Sequence, residues 1–460
     1  MKISRYVEFM NFTHSMRQLL SILTVWISLS TFAQSSSNNP VSFFGLGEKA
    51  NGNHSIYNSL GKNDFNFFDS TQLNFYNPAS YSTLSAGNTL YSLDVQSRVS
   101  QYTQNGASEY GTTFLVEHFA IGFKMKRRMG LSFGLRPYAT RGYSFSEKVY
   151  VGTDSLKYTY SGKGGIQNLY LGLAYAPIQT KSSRLSLGVN ASYLFGNVAN
   201  ERQSLLLSTS TFQGGLGKNV VFVKAFHYEF GLSFKQNLGK KNNITLSTVV
   251  EPTQKFNATY REELYTSSNI NTPSVYDTLV FNSQSGKITS NLTYRVGINY
   301  QLNLPSWKRK TRTLHPAFNL LASYSSLGTF SHNFSSINQW NLVQGNRLSV
   351  GLQFTPELKM ADNVSALKFL EKIYYRVGYY HQDLLYAVNG YQFTEKAVSV
   401  GLGIPLLMNQ SLSSVNLSVA LGNRGTVAPN SIQESFLGVN FGLILAPSVF
   451  ERWFRKRKLD

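Results

Sequence analysis

The sequence contains no cysteine, and that absence removes disulfides, thiolate metal sites, cysteine nucleophiles and a lipoprotein anchor together. Charge is also scarce, at 14% of the 460 residues, and no apolar run beyond residue 33 is long enough for a transmembrane helix. Mean hydropathy is slightly negative at −0.19, which excludes a helical membrane protein. It does not exclude a barrel, whose polar lumen cancels its apolar exterior in any average. Helical periodicity is nearly missing too. What fills the chain instead is alternation of period two, as in Glu434 to Leu445, where Val439, Phe441, Leu443 and Leu445 share one face and Gly438, Asn440 and Gly442 the other.

That pattern recurs about fourteen times, and no helices are available to cover the apolar faces, so lipid is the simplest partner for them. The expected strands lie near 89–101, 113–125, 129–141, 166–177, 184–196, 220–237, 243–257, 287–302, 316–326, 342–356, 372–382, 394–406, 414–423 and 434–446. A bulge is expected near Glu117 and His118, where the alternation slips. The fold class is therefore all-β: a transmembrane antiparallel β-barrel of about fourteen strands with an N-terminal plug segment. Short connections at 126–128, 239–243 and 407–413 oppose long ones at 142–165, 197–219 and 258–286, with a hairpin expected across Gly152 to Ser155. This asymmetry places the short turns on the periplasmic side, and an even strand count returns both termini there. Ser365 to Leu370 reads as one helical turn, and Tyr374, Tyr375, Tyr379 and Tyr380 as part of an interfacial girdle.

The domain reading is a signal peptide at 1–33, a plug at 34–86, the barrel at 87–446 and a basic tail at 447–460. Arg17, the apolar core Leu19 to Leu29 and Thr31-Phe32-Ala33 have the form of a cleaved secretory signal, with Met16 as an alternative start. Export to the outer membrane follows. The formal charge of +20 sits mostly in turns and in the tail, where basic runs keep strands soluble, and no nucleic-acid module surrounds them.

The plug carries Asn77-Pro78-Ala79-Ser80-Tyr81-Ser82 shortly before the first strand, after Phe44-Gly45-Leu46-Gly47. Near the C-terminus stand Gly401-Leu402-Gly403-Ile404-Pro405, Leu421-Gly422-Asn423-Arg424-Gly425-Thr426 and Trp453-Phe454-Arg455-Lys456-Arg457-Lys458. In these motifs the chain resembles the FadL-like outer-membrane barrels, and within them the PorV-like variants of protein-secretion systems. The FadL likeness implies uptake or diffusion of hydrophobic or amphipathic small molecules through a plugged barrel. The PorV likeness implies the alternative, a non-transporting barrel that binds or scaffolds a secretion or surface protein. Lipids of the outer membrane are partners on either reading.

No catalytic or metal constellation emerges: the histidines are scattered, Gly162 to Gly165 and Gly214-Gly215 read as loop glycines, and His227 with Glu229 reads as a hydrogen-bonded lumenal pair. No enzyme activity and no cofactor are expected. By the alternation, Asp94, Arg98, Arg136, His227, Glu229, Lys235, Arg295, Arg347, Arg376 and Glu395 point into the barrel. The plug supplies Glu48, Asp64 and Asp69 as candidate anchors for the lumenal arginines, because an unpaired charge in a confined lumen is costly. The rival reading makes those arginines an anion path.

Overall fold

The computed structural model describes residues 39–446, except 51–53, 87–88, 153, 207–213, 240–241, 268–276, 310–311, 359–366, 389, 409–410 and 428–430. The signal segment, Met16 and the basic tail lie outside the described residues. Fourteen antiparallel strands close into a barrel. The first six are β1 (Thr89–Gln104), β2 (Ala107–Lys126), β3 (Met129–Thr140, resuming as Tyr143–Val151), β4 (Asp154–Gln179), β5 (Ser183–Leu206) and β6 (Gly214–Leu238). There follow β7 (Asn242–Glu251, resuming as Gln254–Ser267), β8 (Asp277–Ser290, resuming as Thr293–Asn303), β9 (Ala317–Leu327) and β10 (Gly345–Thr355). The last four are β11 (Tyr374–Val388), β12 (Tyr391–Met408), β13 (Ser411–Gly425) and β14 (Gln433–Leu445). Closure comes from β1 against β14, with Val95 opposite Phe441.

Period-two patterning decides which face each residue takes. On β6, Phe226, Tyr228, Phe230 and Leu232 are exposed outward, while His227, Glu229, Gly231 and Ser233 are buried toward the lumen. The anticipated bulge is present: Asp94 pairs with His118 and Val95 with Val116, so Glu117 is the extra residue. Both Glu117 and His118 consequently turn inward and are buried.

Several details differ from the sequence reading. The stretches expected as long loops are largely strand, because β3 to β8 continue well past the apolar band as a sheet at one end of the barrel. Alternating polar and apolar residues there carry the ladder onward. The Gly162–Gly165 and Gly214-Gly215 stretches accordingly lie within β4 and β6. The expected helical turn sits later, at Phe369–Lys372, and a small hairpin pairs Trp307–Arg309 with Arg312–Leu314. Of the four tyrosines assigned to a girdle, Tyr380 is buried on the lumenal face and bonds Glu395, since 374, 376, 378 and 380 share parity; Tyr379 faces outward.

The described plug begins at the extended end of the barrel, where the Asn39 N–H donates to the Gly142 carbonyl at 2.7 Å. It then descends the lumen, through the one-turn helix Ser55–Asn58, to the 3-10 helix Pro78–Thr83 beside the short turns. The first described plug residue thus lies at the end opposite the short turns, and β1 starts only after the full descent; the two termini themselves lie outside the described residues.

Candidate functional site

The plug fits because the wall is cut back to receive it. A Cβ placed at Gly188 would collide with the Pro78 backbone, and at Gly231 with Pro78 Cδ at 2.8 Å. Asn77 caps the 3-10 helix by accepting from the Ala79 N–H at 3.0 Å, and its amide donates to the Phe65 carbonyl at 2.9 Å. The Tyr81 hydroxyl donates to Asn190 at 2.9 Å, and the Ser82 and Ser80 hydroxyls are bonded to Ser186 and the Asn74 carbonyl. The four plug-motif positions Asn77, Pro78, Ala79 and Ser80 are all buried. They fill the lumen near the short-turn end.

Further along the lumen, two charged clusters hold the plug. In the first, Arg347 donates to Asp64 at 3.0 Å and Arg295 lies 3.7 Å from it, 3.5 Å from Glu229 and 3.6 Å from Glu251. Arg136 pairs with Glu229 at 2.6 Å and Lys49 of the plug with Glu251 at 2.7 Å. In the second, Arg424 bridges Glu48 of the plug at 2.6 Å and Glu395, while Arg98 takes Glu434 at 2.7 Å and Lys62 of the plug takes Glu395 at 3.1 Å. This cluster sets three carboxylates against three cations.

Of the three plug carboxylates, Asp64 and Glu48 thus face arginines. Asp69 does not; its Oδ1 accepts from the backbone N–H and hydroxyl of Thr71 at 2.9 and 2.8 Å. Arg376 meets no carboxylate within 4.0 Å among the described residues and donates to Gln353 at 2.7 Å and Asn416 at 2.9 Å. The proposed His227–Glu229 bond is replaced by separate contacts: Glu229 takes Arg136, and His227 lies 3.7 Å from Glu251. Glu251, Arg424, Glu434, Lys49 and Lys62 were missed. Parity would have found the wall members, since Glu251 aligns with Ser247 and Val249, Arg424 with Gly422, and Glu434 with Gly438 and Asn440.

Asp94 holds the plug in another way, accepting from the Ser55 N–H at 2.9 Å. Beside it the His54 Nδ1 accepts from the Ile56 N–H at 3.1 Å, so the ring proton sits on Nε2, facing Ser92. The Ser92 hydroxyl bonds His118 Nε2 at 2.7 Å. Burial, aided by the Arg376 charge, pushes the His54 imidazole down to about 3, so it is neutral at ordinary pH.

Two openings stand out among the described residues. At the extended end an aromatic chain runs Tyr386, Phe44, Phe43, Tyr143, Phe145, Tyr160, with successive ring centroids 5.1–5.8 Å apart. It borders a recess of two lobes. One, about 380 Å³, is lined by Phe43, Tyr143, Tyr160, Leu264 and Val280; the other, about 290 Å³, by Phe43, Phe44, Val221, Tyr260, Ile337 and Trp340. The second opening is a seam. β2 pairs with β3 only from Phe119 opposite Leu135 to Lys126 opposite Met129, and beyond this β3 takes the two-residue plug strand Glu48–Lys49 through Thr140 and Ala139. Behind the seam, between Thr113 and Leu115 of β2 and Thr140 of β3, a cavity of about 100 Å³ reaches Glu48, Arg98 and Arg424.

The family model named BamG matches residues 15–460, nearly the whole chain. The chain belongs to the BamG family. Among solved structures, the family member resembles the Pseudomonas putida toluene transporter TodX, with a TM-score of 0.50, 11% identity and coverage of 87% of this chain and 99% of TodX. A Pseudomonas aeruginosa FadL homologue matches with a TM-score of 0.50 and 11% identity, over 87% of this chain and 97% of its own. These likenesses establish a FadL-type barrel fold. A search of curated proteins finds no match.

Proposed function

We propose that this member of the BamG family is an outer-membrane barrel, exported through a cleaved signal, that admits a hydrophobic or amphipathic small molecule at its extended, outward end and releases it sideways through the seam between β2 and β3. The observation that carries this reading is the position of Asn39–Lys49. That stretch supplies Phe43 and Phe44 to the aromatic recess, and its Glu48 closes the cavity behind the seam. The recess has the volume of a small-molecule site and a mainly apolar surface, although Glu201, Arg202, Glu262 and Glu263 also border its larger lobe, whereas about 100 Å³ around Glu48, Arg98 and Arg424 is too small for one. TodX is described as a toluene transporter, and a monoaromatic of that kind is the probe we would choose first.

The mechanism is capture against the aromatic chain, then displacement of Glu48–Lys49 from β3, with the Ser55–Ser82 part of the plug staying in place. A Glu48→Cys/Thr140→Cys pair tests it. These residues are direct antiparallel partners, with a Cα spacing that suits a disulfide. Oxidation should stop toluene entry into proteoliposomes and reduction restore it; equal entry in both states sinks the seam route.

A second reading, a non-transporting barrel that scaffolds a secretion or surface protein, is favoured by the ion-paired lumen and by the extended sheet. Along Tyr143–Val151 that sheet, among the described residues, pairs with β4 on one side only, leaving an edge onto which a partner strand can add. Native mass spectrometry separates the two readings: a bound hydrophobic molecule on an otherwise solitary barrel supports entry, and a stoichiometric protein partner without one supports the scaffold.

A further inference from the structure

We propose that Lys124, Arg184 and Lys235 form a binding site for a phosphate-type oxyanion at the short-turn mouth of the barrel, where the bound anion pins the end of the plug motif. The three come from β2, β5 and β6, and each shares the parity of lumenal neighbours: Gly122, Ser186 and Ser233. Arg184 and Lys235 are direct cross-strand partners, so two like charges stand side by side. Lys124 Nζ donates to the Ser82 carbonyl at 2.7 Å, and Arg184 Nη2 donates to the same oxygen. One neutral acceptor therefore gathers an ammonium and a guanidinium, with a second ammonium beside them.

This differs from the charged clusters deeper in the lumen, where Arg98, Arg136, Arg295, Arg347 and Arg424 each have a carboxylate within 4.0 Å. Among the described residues no carboxylate lies within that distance of Lys124, Arg184 or Lys235. The nearest plug acid along the chain is Asp69, drawn alongside by the Ser85 N–H bond to the Ser70 carbonyl, and its Oδ1 is occupied by Thr71. The cluster is also open: Lys235 is exposed, and Lys124 and Arg184 are half-buried. A compact anion with several acceptor oxygens suits such a set, because an arginine fork and two mobile ammonium groups can converge on it. By drawing the cations together over Ser82, it holds the plug motif against the wall.

The test uses the purified full chain in a phospholipid-free detergent and reads amide exchange of residues 77–86. Inorganic phosphate is titrated against chloride at matched ionic strength. We expect saturable slowing of at least threefold in phosphate alone, lost in Lys235→Gln. Lys235 makes no hydrogen bond to a described residue through its side chain, so that variant should keep the fold. The same reading in phosphatidylglycerol bilayers against phosphate-free galactolipid bilayers separates the sources: slowing by the phospholipid without added phosphate assigns the anion to a headgroup, and slowing by phosphate in the galactolipid assigns it to solution. Equal slowing in chloride, no slowing by either phosphate source, or slowing retained in both Lys235→Gln and Lys124→Gln overturns the proposal.

Discussion

Replacing Asp64 should release the plug, and the effect can be worked out from its neighbours. Asp64 is fully buried, and Arg347, 1% exposed, has it as its one ion-pair partner among the described residues. Asp64 accepts from Arg347 Nη2, and Nε and Nη1 have no hydrogen-bond partner among the described residues, so Asp64→Ala strands a buried guanidinium. Arg295 is less affected because Glu229 and Glu251 remain. Removing one partner of a buried pair costs about 3–5 kcal/mol. At about 1.4 kcal/mol per tenfold, the population with the plug undocked should rise by roughly 10² to 4 × 10³. Amide exchange of residues 55–67 in detergent reads this directly, provided the barrel amides keep their protection. Glu48→Gln is the control: its carboxylate is 33% exposed and Arg424 keeps Glu395 and Glu434, so about 1 kcal/mol, or fivefold, is expected. A less than threefold change in Asp64→Ala, or a larger change in Glu48→Gln, would refute the ion-pair account of plug retention. The double variant Asp64→Leu/Arg347→Met should recover most of the protection, since it removes both buried charges.

Gly188→Leu should leave the barrel folded but prevent docking of Pro78, which single-channel recording would show as a steady conductance that the unsubstituted protein lacks. Asn77→Ala removes a helix cap and a buried bond to Phe65, and should lower the thermal midpoint by an amount corresponding to about 2 kcal/mol. Plug protection should also depend on pH through His54. Its native imidazole is held down near 3 while the undocked one titrates near 6.5, so its stabilising contribution is full above about 6.5 and is lost progressively as pH falls toward 3. In His54→Asn that slope should flatten across this window; an unchanged slope would remove His54 from the explanation.

Most of the barrel was legible because a period of two is imposed on every residue by two solvents, lipid outside and a polar plug inside. The same rule sent Asp94, Arg98, Arg136, Arg295 and Arg347 inward, and it revealed the Glu117 bulge as a local failure of alternation. Where both faces meet water, the rule loses its force. In the extensions of β3 to β8 the alternation is shorter and mixed with polar residues, so most of them read as loops; the exception is the hairpin expected across Gly152 to Ser155, which is present as the pairing of Tyr143–Val151 with Asp154–Gln179. Partner choice was less legible still. Nothing in the local sequence distinguishes Asp69, which caps its own turn, from Asp64, which crosses the lumen to Arg347; the difference is the path of the plug, fixed by contacts between residues hundreds of positions apart. The direction of that path, from the extended end downward, leaves no periodic signal either.

The two-residue strand Glu48–Lys49 joins these levels. Because neighbouring residues on a strand point to opposite sides, Glu48 reaches Arg424 on β13 while Lys49 reaches Glu251 on β7. Their backbone meanwhile fills the place on β3 that β2 has left. Opening the seam therefore breaks contacts on both sides of the lumen at once, but at unequal cost. On the Glu48 side Arg424 keeps two carboxylates; on the Lys49 side Glu251 loses its shortest ion pair and keeps Arg295 at 3.6 Å. The strand should consequently swing free from β13 first and pivot on Lys49. On this reasoning Lys49→Met, which removes the pivot, should raise exchange of Glu48 and Thr140 amides more than Glu48→Gln does. The reverse order would place the hinge at Arg424 instead.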